Sequence, residues 1–130
     1  EQARAVTCTT TVSGLQVASV IDGHMTVAAC RASGGNGHAV PDDAVFAAQA
    51  RLAREEGVFC EPAGATALAG WLQAQAAGEL DPADTFVCLV TGSGFKDEVS
   101  LLRQTETLPC PMLPDFAAYR AALEATLSRS

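Results

Sequence analysis

Residues 89–98 read LVTGSGFKDE: an apolar run breaks into Thr-Gly-Ser-Gly and then into charge. A buried strand delivers small polar groups to a pocket in this way, and in open α/β sheets ligands settle at the carboxyl ends of strands. Thr91 stands at such an end. Its hydroxyl can donate to or accept from a neutral ring nitrogen, where an aspartate would hold that nitrogen protonated. Gly92, Ser93 and Gly94 allow backbone to approach a ligand closely. A plain strand-to-helix turn that holds nothing meets the same spacing, and spacing alone favours that simpler reading.

A second candidate is Glu61, in EEGVFCEPAGATALAG. It ends a short apolar strand candidate, VFCE, immediately before a helix opened by Pro62. Unpaired amides and the helix dipole favour a carboxylate there, with or without a ligand. Lys96 is the only lysine in the chain. Its neighbours Asp97 and Glu98 make a local ion pair the expected use of its charge.

These groups need elements to position them. TVSGLQV suits a short strand or turn leading to Asp22, a plausible cap for a helix over residues 23–32. SGGNG, residues 33–37, then ends that helix, since glycine and asparagine take positive φ readily. Pro41 and Asp42 open a second helix, with Val45, Phe46, Gln49, Leu52 and Ala53 at helical spacing before Gly57. Pro62 opens a third that closes at Gly78. Its small residues Ala63, Gly64, Ala67 and Gly70 let its backbone sit close to a neighbour, and Trp71 is expected on a helix face against the sheet. TFVCLV, residues 85–90, is continuously apolar, as in a strand covered on both faces. A last helix is predicted over residues 116–127, after the loop LPCPMLP. Strands alternating with helices indicate an α/β fold with crossover connections, here a partial open sheet with flanking helices.

The chain has 130 residues, 48% hydrophobic and 18% charged, which is enough for one globular domain. A net charge of -7 and 5% aromatic residues exclude a basic or stacking surface for nucleic acid, and argue against an acidic membrane. No apolar stretch approaches the ~20 residues of a membrane span. The first residues lack the basic flank and apolar core of a secretion signal, and there is no glycosylation sequon, so a cytoplasmic protein is expected. Five widely spaced cysteines (Cys8, Cys30, Cys60, Cys88, Cys110) read as reduced, mostly buried thiols. With His24 and His38 they form no zinc-like spacing, so no metal is expected.

LAREEGVFCEPAGATALAG followed by VCLVTGSGFKD resembles the threonine synthase group of pyridoxal-phosphate enzymes, and SGLQVASVIDG is similar to a segment upstream in that group. Serine and threonine dehydratases and the tryptophan synthase β chain are relatives in the same fold type II. The resemblance runs over residues 12–98 and is weak from Leu101 onward. It implies the C-terminal part of the large domain of a tryptophan synthase β-like fold, within a single domain or fragment spanning residues 1–130. It also implies cofactor-binding roles: Thr91 facing the pyridine nitrogen, Gly92 and Ser93 shaping the adjoining wall, Glu61 near the ring, and Gly14 where backbone passes close. Lys96 does not match the cofactor-anchoring lysine. SGGNG follows a helix and lies between the family's glycine motifs, so it matches neither.

A pyridoxal-phosphate enzyme needs a lysine to carry the cofactor and backbone amides to cradle its phosphate. In the family both precede anything in this sequence. The chain is therefore expected to supply one wall of a larger enzyme, with no catalytic residue of its own and the remaining N-terminal part as its partner. For that enzyme, the resemblance implies a lyase converting O-phosphohomoserine and water to threonine and phosphate, with an amino-acid substrate and a homodimeric assembly. Two alternatives stand: a serine or threonine dehydratase-like β-elimination enzyme, and a non-catalytic regulatory or interaction module. Threonine in TGSG, where dehydratases tend to carry serine-glycine-glycine, leans toward the synthase.

Overall fold

Helix boundaries follow the punctuation of the sequence in the protein's structure, a computed structural model that describes residues 3–17, 19–106 and 112–128. Helix α1 (Gly23–Ser33) stops at Gly34, which turns left-handed at φ 68. Its start corrects an expectation. The Asp22 side chain makes no cap hydrogen bond, and the Asp22 carbonyl accepts instead from the amides of Met25 and Thr26 at 3.0 and 3.1 Å.

Helix α2 (Asp42–Glu55) follows Pro41, which takes an extended conformation as its N-cap. Asp42 and Asp43 occupy the first turn, where the dipole favours negative charge. Asp42 does more than this. Its carboxylate accepts from the Thr10 hydroxyl, and from the Thr11 amide and hydroxyl at 2.7 and 2.8 Å, tying the N-terminal segment to α2. The Thr10 hydroxyl, then the Thr11 amide and hydroxyl, hold the Asp42 carboxyl below its usual value. A folded-state pKa below the unfolded one gives a tether that is complete above the ordinary carboxyl value and lost as pH falls through the depressed one. An NMR titration is expected to leave the Thr11 amide shift unchanged from neutral pH down to about 4, and to move it only below. Movement beginning near pH 6 would put another group in control.

Helix α3 (Pro62–Ala76) starts at Pro62, whose missing N–H costs nothing in a first turn. Helices α2 and α3 pack together, and Val12, Val45, Ala48, Cys60, Ala65 and Ala69 form the buried core, with Val40, Phe46, Leu52, Ala63 and Leu68 against it. The apolar face predicted for α2 is therefore the one that is buried. Trp71 is half-buried on α3, its ring 6.2 Å from that of Phe86. A single 3-10 turn (Gly94–Lys96) leads into helix α4 (Glu98–Glu106), and helix α5 (Phe116–Leu127) follows. The sequence reading missed α4 and placed α5 correctly. Asp97 starts α4 by accepting from the Ser100 amide at 3.1 Å and its hydroxyl at 3.0 Å.

The expected open sheet is not formed among the described residues. VFCE contributes one isolated antiparallel bridge, Cys60 to Ser93. TFVCLV runs without ladder partners, and it is not covered on both faces: Val87 is 83% and Leu89 75% exposed. The physical reason is simple. A strand is stabilised by hydrogen bonds to neighbouring strands, and among the described residues no backbone group bonds to residues 85–90. The cysteines also differ in part from expectation. Cys60 is buried, Cys30 and Cys88 are half-buried, and Cys8 is exposed, all as free thiols. Cys110, most of the loop LPCPMLP and Ala18 of SGLQVASVIDG lie outside the described residues. No described helix is long and apolar enough to cross a membrane.

Candidate functional site

The first turn of α3 is the point on which the sequence candidates converge. Glu61, its N-cap residue, donates its amide to the Gly92 carbonyl at 3.1 Å, and Gly94 donates to the Phe59 carbonyl at 3.2 Å. These two bonds lay residues 59–61 against residues 92–94. The carbonyl between them, that of Cys60, is taken from the other side by the buried Gln49 amide of α2 at 2.9 Å. A three-way junction of α2, the start of α3 and the glycine turn results.

Close packing explains the glycines. A Cβ on Gly64 would stand 3.2 Å from the Thr91 nitrogen and 3.3 Å from Cys60 Cβ, so the smallest side chain lets the 91–94 turn lie flush on α3. Gly14 faces the same turn of α3, where a Cβ would lie 3.2 Å from Ala63 Cβ. Gly92 has φ +41, in the left-handed region that other residues avoid. A Cβ there would overlap the Glu61 carboxylate, which is folded over it.

Thr91 is exposed at the lip of this junction, and its hydroxyl has no hydrogen-bond partner among the described residues. Ser93 is exposed too, but its hydroxyl accepts from the Phe95 amide at 3.4 Å and so caps the 3-10 turn. Gly14, Glu61, Thr91, Gly92 and Ser93 thus share one neighbourhood although nearly eighty residues separate the first from the last. Lys96 corrects the local expectation. It pairs with Glu61 at 3.5 Å, while Asp97 is engaged by Ser100. Gln49 was legible only as a member of the α2 face. Its bond to Cys60 is the feature that sequence reasoning lacked, and a lone amide amid Val45, Phe46 and Leu52 was the signal for it.

Cys60 is the one thiol inside the junction. Burial pushes its pKa up, and the neighbouring Glu61 charge adds to the rise, which disfavours the thiolate. No group of three or more histidine, cysteine, aspartate or glutamate residues that could hold a metal lies among the described residues. The junction offers a free neutral hydroxyl, a flush glycine backbone and one carboxylate. Such a set can orient a flat heterocycle by hydrogen bond and contact.

The family model described as pyridoxal-phosphate dependent enzyme matches residues 1–92, beginning ahead of residue 12 and stopping within the glycine turn. The chain is 34% identical over 97 residues to the threonine synthase of Methanocaldococcus jannaschii, which covers 75% of this chain and 24% of that protein. It is 36% identical over 106 residues to the threonine synthase of Mycobacterium tuberculosis, with 81% and 29% covered. Against the threonine synthase of Synechocystis the identity is 46% over 70 residues, with 54% and 18% covered. The chain therefore spans about a quarter of the length of these relatives. By this match over most of its length, which takes in Gly14, Glu61 and Thr91, the chain belongs to the family of pyridoxal-phosphate dependent enzymes and is similar within it to threonine synthases.

Proposed function

We propose that this chain is the C-terminal part of a threonine synthase-like lyase acting in the cytoplasm, and that it supplies one wall of the pyridoxal-phosphate site. The observation that carries the reading is the convergence of Gly14, Glu61, Thr91 and Gly92 on the first turn of α3, with the Thr91 hydroxyl unpartnered among the described residues. The residues fit the cofactor. A neutral hydroxyl suits an uncharged pyridine nitrogen, and glycine backbone allows a flat ring to lie close.

Pyridoxal phosphate, when bound, supplies the electron-withdrawing ring needed for elimination and replacement at an amino acid. Thr91 would hold the ring nitrogen by a hydrogen bond without placing a charge on it. Gly92 and Ser93 would form the wall beside it, with Ser93 fixing the turn through its bond to Phe95. Gly14, packed near Ala63, would let backbone pass close to the cofactor, and Glu61 would set a negative charge near the ring. The anchoring lysine, the phosphate cradle and the groups for the substrate carboxylate would come from the rest of the enzyme. Lys96 is committed to Glu61 and lies on the turn beyond Thr91. The exposed backbone and side chains of residues 85–90 suit burial between strands of that remaining part, which would complete the sheet.

The test uses the complete protein loaded with pyridoxal phosphate and supplied with O-phosphohomoserine. Threonine and phosphate are expected in equal amounts. Formation of a 2-oxo acid and ammonia from serine or threonine, with O-phosphohomoserine untouched, would assign a dehydratase instead. A complete protein that takes up no cofactor would reject the site, and with it any enzymatic role of this wall.

A further inference from the structure

Glu61 does not behave as an ordinary helix cap. It is the N-cap residue of α3, yet its side chain makes no cap hydrogen bond. The carboxylate is folded instead over Gly92, in the space a Cβ would take, and the side chain is only 14% exposed. A carboxylate withdrawn from water, with no amide donor among the described residues, needs a compensating charge. Among the described residues that charge is Lys96, whose ammonium lies 3.5 Å from Glu61 Oε2.

The turn that carries Lys96 is built to send it there. Ser93 caps the 3-10 turn, and the Lys96 amide donates to the Ser93 carbonyl at 3.1 Å. This reverses the chain just after Thr91. The adjacent carboxylate of Asp97 is already occupied by the Ser100 amide and hydroxyl. The lysine, its side chain 64% exposed, therefore reaches back toward α3.

We propose that Lys96 is a positioning residue of the cofactor site: it clamps the Glu61 carboxylate over Gly92 and so fixes and balances the negative charge beside the ring that Thr91 meets. This rests on the reading of the site given above. The ammonium touches neither substrate nor ring, and it acts through Glu61 alone. Without it the carboxylate is free to leave Gly92 for water, and the electrostatic setting of the ring changes although Thr91 stays in place.

The experiment compares K96M, K96R, E61Q and the K96M/E61Q double variant in the complete protein, with Trp71 fluorescence as the check that each is folded. Pyridoxal phosphate is titrated into the cofactor-free protein, and the absorbance maximum of the bound cofactor is recorded. K96M is expected to weaken binding by ~5-fold and to shift the maximum, K96R to restore both, and K96M to add nothing in the E61Q background. Unaltered affinity and absorbance in K96M would overturn the clamp, as would an equal K96M effect with and without Glu61. Either result leaves the Thr91 reading standing. Failure of the unaltered protein to bind pyridoxal phosphate at all would overturn both.

Discussion

Thr91→Val is expected to weaken pyridoxal-phosphate binding to the complete protein by about 1–3 kcal/mol, roughly 5- to 150-fold in Kd. Valine keeps the volume and β-branching of threonine, so the extended backbone before Gly92 has no reason to move. Only the hydroxyl is lost. That hydroxyl spends nothing on the described part of the chain, having no partner there, so its removal costs the described fold no hydrogen bond. The loss falls on the ligand: a buried ring nitrogen would face a methyl group and keep its desolvation cost unanswered. Thr91→Ser, which retains the donor and acceptor, is expected to bind within about twofold of the unaltered protein. Spectroscopic titration of the cofactor-free protein measures both. Equal affinity for the valine variant would remove Thr91 from the site.

The contrast between Thr91 and Lys96 shows how far local sequence reaches. Thr91 is legible because the change from TFVCLV to TGSG is a property of consecutive residues. Helix ends are legible for the same reason, with Pro41, Pro62 and Gly34 acting within one turn of themselves. The partner of Lys96 is not local. Asp97 stands beside it but belongs to Ser100 and the start of α4, a helix whose Asp-x-x-Ser opening was itself a signal that went unused. Glu61 reaches Lys96 only because the Cys60–Ser93 bridge brings together residues 33 apart in sequence. The strands failed for a related reason. Composition reports that residues 85–90 are suited to burial, and the hydrogen-bonding partners that make a strand of them lie in no described segment. Gly14 entered by resemblance alone. Its contact with Ala63 is the physical content that the sequence did not carry.

Gly92→Ala has the largest expected effect on stability, because two separate costs fall on one methyl group. The left-handed backbone at φ +41 costs an alanine about 1–2 kcal/mol. The added Cβ also occupies the position of the Glu61 carboxylate. That carboxylate is the tip of a flexible side chain, so it can swing away, and the second cost is chiefly the lost ion pair with Lys96, up to about 1 kcal/mol. Chemical unfolding of the complete protein is expected to show a total loss of about 1–3 kcal/mol. The two parts separate in a double-mutant cycle with Glu61→Ala. In that background there is no carboxylate to displace, so Gly92→Ala should cost only the backbone part, about 1–2 kcal/mol. An identical cost in both backgrounds would mean that Glu61 does not lie over Gly92. A Gly92→Ala variant as stable as the unaltered protein would mean that the turn does not pass through the left-handed region, and the close fit of the 91–94 backbone on α3 would need another cause.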